Sequence, residues 1–226
     1  MCGMRVTRLS ATAAGTVSGA HFPCLGGGFI TRLGIGGLPF FLPLLYQLGL
    51  GLPAWQSGLL MMPIAAAAMG SKLYAVRILK RFGYRKVLMI NTVLIGVTIS
   101  LYAGIVPGTP IILVVALGLA QGFFNSLQFS SMNSMAYADI ETSDSSMAST
   151  IASSLQQMSM SFGLACGTLV AAWFLGDLPQ TDRLAVTSAL HHAFLTLGIL
   201  TMLSSFSFWT LRPTDGESMN PGSISG

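Results

Sequence analysis

The side chains best placed to do chemistry are three amides, Gln121, Asn125 and Gln128, spaced i, i+4 and i+7 and so able to share one face of a helix. Each carries both donors and an acceptor, and in an apolar setting such a group needs a hydrogen-bond partner or a wet cavity. Two readings stand: a stripe facing a polar ligand, or interhelical hydrogen bonds that contribute about 0.6 kcal/mol each on average. Ser149, Ser153, Gln156 and Gln157 line the same pathway or, for the serines, close back on their own helix backbone. A third set, Phe40, Phe41, Tyr46 and Gln47, lies beside Gly34, Gly36 and Gly37 on a segment that Pro39 and Pro43 should bend. Rings there would suit a lipophilic or cationic ligand through stacking and cation–π contact, or would simply face lipid.

Reaction chemistry finds no support. There is no H-E-x-x-H pair, and Gly15-Thr16-Val17-Ser18-Gly19 lacks the G-x-S-x-G spacing of a nucleophile elbow. Cys2, Cys24 and Cys166 are odd in number and have no metal-ligand spacing. His191 and His192 point about 100° apart on a helix, so they do not readily face one ligand and serve better as anchors at an interface. No enzyme activity, catalytic residue, metal or cofactor is expected.

The elements that position these groups follow from composition. Apolar residues make up 52% of the chain and charged residues 8%, with a mean hydropathy of +0.70. A soluble domain carries about 25% charge to keep its surface wet, so this chain belongs in a bilayer. Its 26 glycines and 13 methionines suit helices packed closely in lipid. The net charge of +4 does not indicate nucleic acid, since six of the eleven Lys/Arg residues lie between Lys72 and Lys86, in one loop and its flank.

Leu33 to Ser71, Val87 to Ala138, Ser145 to Gly176 and Leu184 to Leu211 are free of charge. A helix needs about 20 residues to cross the hydrocarbon core. Gly49-Leu50-Gly51-Leu52-Pro53 and Pro107-Gly108-Thr109-Pro110 break the two longest runs. Six helices result, at about 31–50, 55–79, 87–106, 111–138, 146–175 and 189–211. The runs lack the alternation of barrel strands. Gly118-xxx-Gly122 and Gly163-xxx-Gly167 are small-residue packing motifs.

With both termini in the cytoplasm, Arg5, Arg8, Arg32, Lys72, Arg77, Lys80, Arg81, Arg85, Lys86 and Arg212 lie inside and only Arg183 lies outside, a strong positive-inside bias. Residues 1–29 lack the apolar core of a signal peptide and are expected to be a disordered leader or the product of a displaced start codon. Residues 30–212 would form the membrane unit, and 213–226 a cytoplasmic tail. No charged residue sits near the middle of a span, so a proton-binding acid, if one is needed, is elsewhere.

The segment Arg81-Phe82-Gly83-Tyr84-Arg85-Lys86 resembles the cytoplasmic loop motif of the major facilitator superfamily, where similar loops join the second and third helices of each six-helix half. Leu38-Pro39-Phe40 to Gly51, and Gln121-Gly122 to Met135 with Phe129-Ser130-Ser131-Met132-Asn133, extend the likeness. Over about residues 30–212 the chain is similar to the C-terminal half of bacterial multidrug efflux carriers in the fourteen-span drug:proton antiporter branch, close to the MdtD type. Lys80 stands where the complete loop motif has an aspartate, so no charge relay carries over. Arg81, Gly83 and Arg85 match, and the resemblance implies that they help gate movement between halves; such cations would also fix topology in any loop. It further implies a substrate cavity between two halves, lined by the first and fourth helices of each, with the coupling acids in the other half.

The expectation is therefore an all-α integral membrane protein whose six transmembrane helices form one half of a major facilitator bundle in the bacterial inner membrane. Its substrate pathway would comprise Phe40, Phe41, Tyr46, Gln47, Gln121, Asn125, Gln128 and Gln157. Its expected function is a share in proton-coupled multidrug efflux, with the lipid bilayer and a small lipophilic substrate as partners. An N-terminal half of six to eight helices, or a second copy, would complete it. A non-transporting scaffold, an inactive truncated remnant, or a sugar or metabolite carrier of the same superfamily are the alternatives.

Overall fold

The computed structural model describes residues 21–137, 145–176 and 183–209. Every regular element among them is an α-helix: α1 His21–Gly36, α2 Leu38–Leu48, α3 Ala54–Leu59, α4 Met62–Phe82, α5 Tyr84–Tyr102, α6 Ile111–Tyr137, α7 Ser145–Leu175 and α8 Arg183–Trp209. Five stretches are long and apolar enough to cross a membrane: Phe29–Leu48, Ala54–Ala75, Ile111–Asn133, Ser153–Leu175 and Leu184–Phe206. Lys86–Tyr102, the third of the expected spans, is apolar but shorter. At 1.5 Å per residue α5 is about 28 Å long, and it lies between α6 and α8.

The helix ends differ from the charge-free runs. The first helix begins at His21, ahead of Arg32, and the last begins at Arg183. A charged residue does not stop a helix, because its backbone hydrogen bonds are made regardless; only the depth of the side chain matters. The helix is interrupted near where a bend was expected, just ahead of the prolines. Gly37 interrupts the first span, and Pro39 and Pro43 stand in α2 just beyond it, where each removes an N–H donor. The Ser57 hydroxyl donates to the Pro43 carbonyl at 3.1 Å, bracing α2 against α3.

Neighbour relations are nearly symmetric. α1 packs on α7 and α8, α6 packs on α4 and α5, and α5 and α8 pack on each other. Glycines mark the closest approaches. A β-carbon on Gly36 would meet the backbone of Met160, one on Gly163 the carbonyl of Leu33, and one on Gly122 the carbonyl of Ile64. Along the α4–α6 contact the carbonyls of Leu60, Ile64 and Ala68 face Gly118, Gly122 and Ser126 in turn. The two spaced glycine pairs are thus helix contacts.

Two apolar clusters hold the bundle. The larger joins Phe41, Leu42 and Tyr46 of α2, Ile95, Ile99 and Tyr102 of α5, and Leu190, Phe194 and Leu197 of α8. Phe41 and Tyr102 meet Phe194 at 6.2 and 5.9 Å between ring centres. The smaller joins Ala75, Leu79, Val87 and Leu127 near the Gly83 turn. Between them lies a polar layer that includes Thr31, Asn91, Thr92, Gln121, Gln128, Thr201 and Ser204, all buried. Large apolar side chains such as Trp55, Leu73, Ile112, Trp173 and Phe206 are exposed on the outside, which a bilayer accepts and water does not.

Candidate functional site: a basic cavity between α1, α6 and α7

A cavity of about 300 Å³ opens at the polar layer. α1 contributes Thr31, Arg32 and Ile35; α4 contributes Ala68; α6 contributes Asn125, Ser126, Gln128, Phe129 and Met132; α7 contributes Gln156 and Met160. On α6 the spacing of 125, 129 and 132 keeps these side chains on one face, as does 156 and 160 on α7. The volume lies at the lower end of the range of about 300–1,000 Å³ typical of small-molecule sites.

The back wall is a hydrogen-bonded ladder between α5 and α6. Asn91 Nδ2 donates to Gln128 Oε1 and to the Phe124 carbonyl, both at 2.8 Å. Gln128 Nε2 donates to Thr92 Oγ1 at 2.8 Å. One helical turn and more away, Thr98 Oγ1 donates to Gln121 Oε1 at 2.6 Å, and Gln121 Nε2 donates to Asn125 Oδ1 at 3.0 Å. Ser126 donates to the Ala68 carbonyl at 2.9 Å. Each bond satisfies a group whose burial would otherwise cost free energy. The ladder also fixes the rotamers that face the cavity.

Arg32 supplies the positive charge. Its guanidinium stands 5.9 Å from the centre of the Phe129 ring, within cation–π range. The sequence reading counted Arg32 only toward topology. Helix α1 carries it inward instead, with Thr31 bonded to Ser204 of α8 at 2.9 Å. The only available signal was the absence of any other charged residue between Arg8 and Arg32, which leaves the helix free to extend on both sides of the charge. Thr31, Ser126, Phe129, Met132 and Met160 were likewise not assigned to the pathway, whereas Gln156 was among the residues that could line it.

Of the eight residues expected along the pathway, Asn125 and Gln128 line the cavity. Gln121, 1% exposed, sits behind them and holds Asn125. Phe41 and Tyr46 are in the apolar core, while Phe40 is exposed and Gln47 half-buried; none of the four lines the cavity, because α2 lies beyond the interruption at Gly37. Gln157 is exposed beside the cavity-lining Gln156, turned away by the 100° step between neighbours.

Arg81 is exposed, its guanidinium 5.9 Å from the Phe82 ring centre. Gly83 joins α4 to α5 at φ 77° and ψ 151°, a region open essentially to glycine alone. The Arg85 side chain lies outside the described residues, as do residues 1–20 of the expected leader and 210–226 with the expected tail. Residues 21–29 belong to α1. The two histidines diverge: His191 Nε2 bonds to the Ile105 carbonyl at 2.8 Å, and His192 stacks on Phe174 at 4.2 Å. Among the described residues no group of three or more His, Cys, Asp or Glu gathers to hold a metal.

Apolar helices wrapped around a mainly apolar cavity that borders a buried polar layer define a polytopic integral membrane protein of the helical-bundle class. The family model of the Major Facilitator Superfamily matches residues 24–225, and the chain belongs to that superfamily. It is 32% identical over 195 residues to the multidrug resistance protein MdtD of Yersinia enterocolitica, covering 86% of this chain and 41% of the relative. It is also 32% identical over 191 residues to the proteins of that name in Yersinia pestis and Yersinia pseudotuberculosis, covering 84% of this chain and 41% of each relative. The chain thus spans about 41% of the length of these relatives.

Proposed function

We propose that the chain forms the C-terminal half of a proton-coupled multidrug efflux carrier of the bacterial inner membrane, with its termini and the Arg81–Lys86 loop in the cytoplasm. The observation that carries this reading is the cavity, where amides, a guanidinium and apolar side chains converge between helices of a superfamily bundle. The likeness to multidrug resistance proteins supports it. Transport then proceeds by alternating access: one half rocks against the other around a cavity near mid-membrane. An N-terminal half, or a second copy, supplies the remaining wall and the coupling acids that the spans of this chain lack.

In this reading Asn125, Gln128, Phe129, Arg32 and Gln156 contact substrate, and Gln121 positions Asn125. Phe40 and Gln157 serve the face toward the other half. Phe41 and Tyr46 act by packing, and Arg81, Gly83 and Arg85 shape the gating loop.

The test is export of a lipophilic dye from cells expressing the native locus with a C-terminal epitope tag. Asn125→Leu and Phe129→Ala should abolish export while the tagged protein persists in the membrane. Unchanged export in both variants sinks the cavity assignment. A locus that exports nothing under any condition favours a scaffold instead.

A further inference from the structure

We infer that the ends of α4 and α5 at the Gly83 turn hold the headgroup of an anionic phospholipid, on a surface separate from the cavity and independent of what the carrier exports. The pattern that carries this is a stripe along α4. Met69, Leu73, Arg77 and Arg81 recur every four residues, so they stack along one side of the helix. All four are exposed, Met69 at 75% and Leu73 at 78%. Ala75 and Leu79, on the other side, are buried against α5 and α6. Two apolar side chains followed by two guanidinium groups match a phospholipid in order, acyl chain and then phosphate.

Depth agrees with that order. The apolar stretch of α4 ends at Ala75, and that of α5 begins at Lys86. Helix α4 continues to Phe82, about 10 Å further along its axis. The headgroup region of one leaflet is about 5–8 Å deep, so the last two turns of α4 pass through the layer of lipid phosphates. Lys72 is exposed inside the apolar stretch, where a lysine extends its stem along the helix to bring its ammonium to that layer. Lys86 is exposed at the start of α5. Lys80 and Arg85 add their charges to the same segment.

The chain offers these cations little counter-charge. No Asp or Glu occurs among the described residues, so none of them forms an ion pair there. A guanidinium fork fits phosphate oxygens in geometry as well as in charge. A soluble polyanion would meet Arg77 and Arg81 but leave Met69 and Leu73 uncovered, whereas one phospholipid covers both pairs. The exposed Tyr74 ring also suits the headgroup level.

The test extracts the full chain from vesicles of equal parts phosphatidylglycerol and phosphatidylcholine, and counts the lipids it retains by native mass spectrometry. Phosphatidylglycerol should exceed phosphatidylcholine by at least about fivefold, the factor that one cation near an anionic surface supplies. Arg77→Gln combined with Arg81→Gln should lower that ratio at least about threefold, while the remaining cations of the segment keep the orientation. Arg183→Gln, at the opposite end of the bundle, should leave the ratio unchanged. In the wild type, phosphatidylglycerol with a photoactivatable headgroup should attach within residues 69–86, a readout that needs no variant to fold. Equal retention of the two lipids overturns the inference, as does attachment confined to other segments or a ratio unmoved in the double variant. Equal retention that becomes a preference for phosphatidylglycerol on Asp139→Asn, Glu141→Gln and Asp144→Asn together also overturns it, and makes the chain's own acidic segment the occupant.

Discussion

The carbonyl oxygens of Gly96 and Gly198 each lie 2.8 Å from the point where a β-carbon on the other would stand. Helices α5 and α8 therefore meet backbone to backbone at the middle of the bundle. Gly198→Ala would also press on the Ser100 side chain, so no single rotamer change relieves it. We expect it to lower stability by about 1–3 kcal/mol, the range of an overpacked contact. Gly70, which has open space around it, is the control: Gly70→Ala should stabilise α4 by about 0.5–1 kcal/mol. Thermal unfolding in detergent measures both.

Phe40 and Phe41 are adjacent and chemically identical, yet 52% and 2% exposed. The Phe41 ring fills the space beside Gly37 and Gly167. Phe41→Ala should cost about 3–5 kcal/mol, and Phe40→Ala little in detergent. Equal losses in an unfolding titration would refute this division between core and surface.

The Thr98–Gln121 bond is short and buried. Thr98→Val leaves the Gln121 oxygen without its donor, and Gln121→Leu removes the amide. A double-mutant cycle should give a coupling of about 0.6 kcal/mol and at most about 1.7. A coupling near zero would mean that the two side chains do not bond in the membrane. Under the transport reading, Gln121→Leu should also weaken binding through Asn125, which loses its orienting partner.

Gly83 bridges α4 and α5 with backbone angles that other residues rarely adopt. Gly83→Ala should cost about 1–3 kcal/mol of local strain. We expect a fall in melting temperature and faster proteolysis between α4 and α5, with the cavity unchanged in affinity for the lipophilic dye. Wild-type cleavage rates would contradict the strained geometry.

Gln156 and Gln157 provide a paired test of the site. Gln156→Ala should reduce dye binding several-fold, and Gln157→Ala should leave binding by the isolated chain unchanged. The reverse order would move the wall of the cavity to the other side of α7.

The spans were legible in the sequence because long apolar runs without charge have few other uses. Their ends were less so, since Arg32 and Arg183 lie inside helices that a charge census stops short of. The amide stripe was placed on one face, but a face is wider than a contact. At 100° per residue, Gln128 returns to within about 20° of Gln121, while Asn125 stands about 40° away. That offset turns Asn125 away from α5 and toward the cavity, whereas Gln128 bonds to α5 and also borders the cavity. Periodicity alone does not say which neighbour lies in either direction, and so the partners Thr98, Thr92 and Asn91 were not foreseen. Arg32 was missed for a different reason: its charge was read as an address for the membrane rather than as part of a wall.

The facing series along α4 and α6, Leu60 with Gly118, Ile64 with Gly122 and Ala68 with Ser126, keeps a constant separation of 58 residues along the chain. One residue inserted or deleted between Gly118 and Ser126 would turn the rest of α6 by about 100°. Gln128 would leave its ladder and Phe129 would leave Arg32. The same insertion placed in residues 103–110, the turn before α6, changes neither helix and shifts no contact within the pair. Tolerance to changes in chain length should therefore be abrupt, permitted in that turn and lethal to the cavity a few residues later.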